Sequence, residues 1–344
     1  SENRIPGNDK NTAVVISSDY DLDGDIDLFV GNLSDPLDFG LPVQSTLLQN
    51  DGNGKFTTDE TFKLDAKVTD AIWEDLDGDG RQDLLIATEW DKPRVFMNLK
   101  RGLTEIEVAS NTKGLWQAIG FFDADGDQDK DIILGNWGLN TKFSLNELPL
   151  KMYHNDFNGD GKNEVLVAYA VAGAYYPISS RDELSSQMKN ISKKYVNYSD
   201  FALKTIEDIV GKELLENSLK YEVEELASGY LQNNGGKFNK FIPFTSQLQM
   251  APISFFSELK VSGEDLLLVS GNALSVNTYH GGYTSLKGGL LKTDGTFEAI
   301  SNFGVDSFSG QVKATASINM RDTSLLLVLE NNGTAKTYRY EKEK

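Results

Sequence analysis

Asp75 to Asp83 reads DLDGDGRQD, preceded by Glu74 and followed at once by the apolar run Leu84-Leu85-Ile86-Ala87. Aspartates at positions 1, 3, 5 and 9 of so short a stretch repel one another, so something must offset the repulsion. Three more windows share the register: DYDLDGDID from Asp19, DADGDQDKD from Asp123 and DFNGDGKNE from Asp156. Their oxygen side chains at those positions are Asp19, Asp21, Asp23 and Asp27; Asp123, Asp125, Asp127 and Asp131; and Asp156, Asn158, Asp160 and Glu164. In the opening window the set is Asp75, Asp77, Asp79 and Asp83. Position 6 is Gly24, Gly80 and Gly161 in three windows, as a tightly wrapped loop needs, and Gln128 in the fourth.

A hard cation resolves the repulsion. Calcium takes roughly six to eight oxygens and suits alternating carboxylates with a backbone carbonyl. The carbonyl would come from position 7: Asp25, Arg81, Asp129 and Lys162. Magnesium prefers fewer carboxylates and more water, so about four Ca2+ are expected, one per loop. An EF-hand needs a glutamate at position 12 and flanking helices. Position 12 is Val30, Ile86, Leu134 and Val167, and the stretches TAVVISS, TDAIWE and WQAIGFF before the loops are strand-like. The loops therefore belong in β-hairpins.

The charge is as local as the motif. Of a net −19 over 344 residues, the four windows hold −5, −3, −4 and −2, which leaves −5 for everything else. Such a chain is a poor partner for nucleic acid or anionic lipid. It has no cysteine and only two histidines, His154 and His280. No apolar run reaches the length of a membrane span. The polar opening SENRIPGNDKNT is expected to be the start of a mature or cut chain, with residues 1–10 a tail.

Beyond each loop the pattern continues. A short connection follows (GNLSDP, TEWDKP, GNWGLN, GNALSVNTY), then a strand turning on an Asn/Gly cluster, as in TLLQNDGNGKFT, RVFMNLKRGLTEIE, GYLQNNGGKFNKF and GLLKTDGTFEAI. Four short strands recurring every 40–50 residues or so mark a β-propeller blade. Six units can be counted. The last two, around APISFFSELKVSGEDLLLVSGN and VKATASINMRDTSLLLVLENN, lack the acids. The expected fold is all-β, a single propeller over 11–344 with six or seven four-stranded blades. A helical insertion is expected over 178–228 in the fourth blade. Within it, SRDE from Ser180 has capping-box spacing. SDFALKTIEDIVG is read as one helix, with Ser199 as N-cap and Gly211 as stop, and KELLENSLKYEVEELA as another.

The D-x-D-x-D-G-x-x-D loop, its apolar strand and GN, and the NDGNGKF hairpin resemble the FG-GAP/VCBS repeat family, which includes the integrin α-subunit propeller. GLWQAIGFFDADGDQDKDIILGNWGLNTKF and YPISSRDEL are more narrowly similar to bacterial surface VCBS-repeat proteins of the ASPIC/UnbV-associated kind. The resemblance implies calcium in the first hairpin of a blade and a place outside the cytoplasm: extracellular, cell-surface or periplasmic. It does not fix an activity.

In such a blade the loop after the second strand lies at the end opposite the acids. That end should collect Trp90, Trp137, Tyr175, Tyr176, Tyr279, His280 and Tyr283, with the insertion and its Arg181 rising over them. Aromatics there suit sugar faces or a partner's side chains. Trp137, set between glycines in GNWGLN, is expected to lack local packing, whereas Trp73 and Trp116 should be core or channel wall. The leading expectation is a calcium-stabilised surface propeller, possessing no catalytic residues and contacting a glycan or protein. Its alternatives are a calcium-dependent, lyase-like carbohydrate-active enzyme using His280, Tyr279, Arg181 or Asp182, and a structural spacer within a longer surface protein.

Overall fold

The second strand of nearly every sheet is apolar on both faces, and this dictates the architecture: sheets stacked face to face. In the computed structural model Leu84, Leu85, Ile86 and Ala87, and likewise Ile132, Ile133 and Leu134, are wholly buried. The structure describes residues 4–341 apart from 101, 144, 146–147, 262, 277–280 and 321–322.

The strands of the described residues form six antiparallel sheets. In the first, β1 (Asn11–Ser18), β2 (Asp27–Ser34), β3 (Val43–Asn50) and β4 (Phe56–Thr58) pair in order, and β5 (Leu64–Ala66) pairs with β3. The second holds β6 (Val68–Glu74), β7 (Asp83–Asp91), β8 (Arg94–Leu99) and β9 (Gly102–Ile106), while β10 (Gly114–Leu115) joins the end of β7. The third begins with β11 (Ala118–Phe122) and β12 (Asp131–Gly135), and there the chain departs.

It builds a separate sheet first. β13 (Leu150–Asn155), β14 (Glu164–Val171) and β15 (Ala174–Pro177) lead into short helices α1 (Arg181–Gln187), α2 (Asn190–Lys194), α3 (Tyr198–Phe201), α4 (Ile206–Val210) and α5 (Lys212–Glu216). β16 (Leu219–Val223) then pairs with β13. Only afterwards do β17 (Gly229–Leu231) and β18 (Phe241–Pro243) return to β12, with Leu134 opposite Gly229. The fifth sheet is β19 (Ile253–Val261), β20 (Glu264–Gly271), β21 (Gly289–Lys292) and β22 (Phe297–Ala299); the sixth is β23 (Val312–Asn319), β24 (Thr323–Glu330) and β25 (Lys336–Glu341).

Several expectations change. GYLQNNGGKFNKF completes the third sheet, not a fourth blade, so the interruption between β12 and β17 includes the whole fourth sheet as well as the helices. The sheets are not uniformly four-stranded: the first two have five strands and the last shows three among the described residues. SDFALKTIEDIVG is two helices, not one. Leu203 takes a positive φ of 62° between them, and their N-caps are Asn197 and Thr205 rather than Ser199. KELLENSLKYEVEELA is helical only to Glu216. Leu219, Tyr221 and Val223 then alternate as a strand whose backbone groups are paired by β13. Ser180 does form its capping box with Glu183, and Gly211 ends α4 at φ 90°.

Apolar clusters fill the spaces between sheets one and two, two and three, three and five, and five and six. The first strands β1, β6, β11, β19 and β23 contact one another in that order. Residues from all five, including Val14, Asp70, Ile119, Phe256 and Lys313, line one cavity of about 520 Å³. The fourth sheet has its own core, in which Tyr153 and Leu166 pack against Leu184, Met188, Ile191 and Ile206 of the helices.

Candidate metal centres

Each acidic window is the turn between the first and second strands of a sheet: β1–β2, β6–β7, β11–β12 and β13–β14. The backbone wraps inward because carboxylates accept from the loop's own N–H groups. Asp75 accepts from Gly78 and Gly80 at 2.8 and 2.9 Å, and Asp156 accepts from Gly159 and Gly161, the latter at 2.8 Å. Position 6 is left-handed in every loop. Gly24, Gly80 and Gly161 lie at φ 95°, 84° and 85°, and Gln128 takes the same conformation at 78°. Gln128 therefore breaks the sequence pattern without breaking the loop.

Carboxylate oxygens converge within 4.8 Å of one another in four groups: Asp19, Asp21 and Asp27; Asp75, Asp77 and Asp83; Asp123, Asp125 and Asp127; Asp156, Asp160 and Glu164. Asp19 Oδ1, Asp27 Oδ2 and Asp125 Oδ1 are buried without a hydrogen-bond partner. Buried, unpartnered anionic oxygens beside other anions are costly, and a dication among them removes the cost. The donor set is all oxygen, which fits a hard cation. Asp23, Asp25, Asp129 and the expected ligand Asp131 lie outside these groups, as does Asp79, which accepts from the Arg81 guanidinium. Asn158 donates to Glu164, and the N–H of Lys162 caps Asp160 at 3.0 Å.

The position-9 acid belongs to three of the four groups, Asp131 being the exception, and is buried in all four loops. Burial pushes Asp27 and Asp131 up to about 6, against the pull of N–H groups from Asn50 and Asn233, and nearby loop aspartates push the same way. Burial also raises Asp83 and Glu164. Asp156 instead lies below the usual carboxylate range, chiefly because the Gly161 N–H donates to it.

Three asparagines escaped the sequence reading. The backbone N–H groups of Asn50, Asn98 and Asn233, on or just after the third strands, donate to Asp27, Asp83 and Asp131 at 2.9, 2.6 and 2.8 Å. Their Nδ2 groups donate to the carbonyls of Ile26, Gln82 and Lys130, each at 3.1 Å. Gln49 and Gln232, one residue earlier, reach Asp21 and Asp125. The signal was present in LLQN, VFMN and YLQN. The clamp of Asn233 on Asp131 adds to the β12–β17 pairing that ties the returning chain to the third sheet.

A family model described as an FG-GAP-like repeat matches residues 19–86 and again 75–134. Residues 19–134 carry FG-GAP-like repeats. Each match runs from one acidic loop to the apolar strand behind the next. No curated protein sequence matches the chain. Among solved structures, the crystal structure of the V. cholerae biofilm matrix protein Bap1 is similar over 97% of this chain and 62% of that one, at 14% identity and TM-score 0.34. The chain thus spans less than two thirds of that protein.

The acidic loops do not all lie at one end. Asn163, within the fourth, donates to Asp38 at 2.9 Å, and His154 meets the same carboxyl at 2.7 Å. Asp38 follows β2, whereas Asp27 starts it, so β2 separates the first loop from the fourth by roughly 25 Å of strand. The fourth sheet docks on the end opposite the first loop, where the aromatics were expected.

Of those aromatics, Trp90 and Trp137 share one cluster with Leu115, Leu150, Val223 and Leu226. The expectation that Trp137 lacks packing is corrected. Its ring stands edge-on between Phe143 and Tyr283, both at 5.3 Å, because its own connection folds back over it and a distant one reaches it. Tyr175 donates to the Pro149 carbonyl, and Tyr176 lies near Tyr169 on the edge of the fourth sheet. Arg181 is held among the helices by Asp182, the carbonyls of Tyr195 and Val196, and the Tyr198 ring. Neither Tyr176 nor Arg181 is brought to the tryptophans. Tyr279 and His280 lie outside the described residues. Trp116 is fully buried core, and Trp73 stacks on Tyr20. No helix among the described residues is long and apolar enough to cross a membrane.

Proposed function

We propose that this chain is a calcium-stabilised propeller module that acts outside the cytoplasm and binds a glycan or protein at the end away from its first three acidic loops. The five sheets around the common cavity are its blades, and the fourth sheet with its helices is a docked accessory unit. The observation that carries the reading is the set of four convergent oxygen clusters among the described residues, two of them containing buried oxygens with no protein partner. Calcium there would neutralise the clustered carboxylates and pin each first hairpin to its third strand. This gives the ion a structural task.

Loops of this kind in extracellular modules bind at roughly 10⁻⁴–10⁻³ M, which matches extracellular calcium and not the cytosol. Each site filled only in the folded state adds about 1.4 kcal/mol per tenfold excess of calcium over its Kd. Melting in millimolar calcium and then in EDTA tests the reading: the chelator should lower Tm by many degrees. Superimposable curves would remove both the metal assignment and the compartment inferred from it.

A further inference from the structure

Lys67 joins β5 to β6 at the end where the fourth sheet docks. It is 2% exposed, yet its Nζ has no hydrogen-bond partner. The nearest compensation is the Phe39 ring, with Nζ 4.6 Å from its centroid. A ring face attracts the charge but leaves the N–H donors without acceptors. Lys67 also lines a cavity of about 420 Å³ between the first two sheets and β16, together with Trp90, Glu89, Asp91, Lys113 and Lys220. That volume is in the range of small-ligand sites, roughly 300–1,000 Å³.

The acids of this wall do not neutralise Lys67. Glu89 accepts from Gln117 at 2.9 Å, Asp91 is shared by the Lys92 N–H and Arg94, at 2.8 and 3.3 Å, Glu222 pairs with Lys151 at 3.3 Å, and Asp65 is exposed. Burial lowers the Lys67 ammonium from its usual range, and the Glu89 charge only partly opposes that. Lys113 and Lys220 are exposed at the rim. The lining holds four carboxylates beside its three lysines, but Lys67 alone is buried without an acceptor, and an ammonium so placed at a cavity wall is a place prepared for an anion. Trp90 supplies a flat apolar face, and the engaged wall carboxylates keep lone pairs for hydroxyl donors.

We propose that this cavity binds a saccharide bearing a carboxylate, with Lys67 taking the carboxylate, Trp90 lying against a sugar face, and Glu89 and Asp91 accepting from hydroxyls. The proposal deepens the glycan-binding reading above and rests on it. The test uses the full chain in saturating calcium, titrated by calorimetry and tryptophan fluorescence with oligogalacturonate, with the same oligomer after its carboxyls are reduced to alcohols, and with acetate. The acidic oligomer should bind, the reduced one at least tenfold more weakly, and acetate at matched concentration should leave it bound. Lys67→Met should weaken the acidic oligomer at least tenfold while calcium content is unchanged and melting is equal or higher. Equal binding of acidic and reduced oligomers to the unmodified chain overturns the proposal without any variant. So does displacement by acetate, or undiminished binding by folded Lys67→Met. If neutral glycans or a protein bind while oligogalacturonate does not, this inference falls and the broader binding reading stands. If a wider screen finds no glycan or protein ligand, both fall.

Discussion

At the scale of single residues, the loops show how much strain a site can carry. Gln128 holds the left-handed conformation that glycine holds in the other three loops. That conformation costs a side-chain-bearing residue about 1–2 kcal/mol, against about 0.5–1 kcal/mol of extra chain entropy lost by glycine. Gln128→Gly should therefore stabilise the protein by about 0.5–1 kcal/mol in a urea titration, with calcium binding at the third loop retained. A destabilised variant would mean that the glutamine side chain has a task of its own. Asp70 gives a second residue-level test. It lines the central cavity, accepts from Ala71 and Ile119 N–H groups at 3.0 and 3.1 Å, and is pushed up by burial to about 6. A carboxyl whose folded pKa is raised binds its proton more tightly when folded, so its contribution is full below about pH 4 and is lost as pH rises to about 6. In saturating calcium, the stability of the wild type relative to Asp70→Asn should fall between pH 4 and 7. A constant difference would contradict the burial of that charge.

Among elements, what was legible in the sequence was what is local. The acid spacing, the apolar run behind it and the alternating residues ahead of it lie within a single hairpin, and all four hairpins form as that pattern demands. Pairing across distance was not legible. Nothing within GYLQNN says whether it joins the strand just before it or β12, whose partner residues lie about 100 positions away. Only the asparagine clamp, repeated as Asn50, Asn98 and Asn233, could have pointed back to Asp131. Trp137 was misjudged for the same reason, since Tyr283 reaches it from a distant segment. The fourth sheet's attachment makes its own prediction. The Gly138 N–H donates to the Leu226 carbonyl at 2.8 Å, so the two ends of the interruption already touch. Replacing residues 139–225 by a short glycine-containing turn should leave a folded chain that binds one calcium ion fewer. Loss of all calcium binding would show that the fourth sheet is required to form the others.

For the whole molecule, five sheets share a cavity and four apolar interfaces, while acidic turns that would repel themselves open join the first two strands of sheets one to four. The central claim is that calcium fills those turns and thereby holds the first hairpins to the rest of their sheets. Native mass spectrometry of the chain, dialysed against trace calcium and free of magnesium, counts the ions directly. The account predicts a dominant species carrying four, reduced to three when Asp77 is replaced by alanine. A chain that stays folded with no bound calcium, or whose count is unchanged by Asp77→Ala, would contradict it.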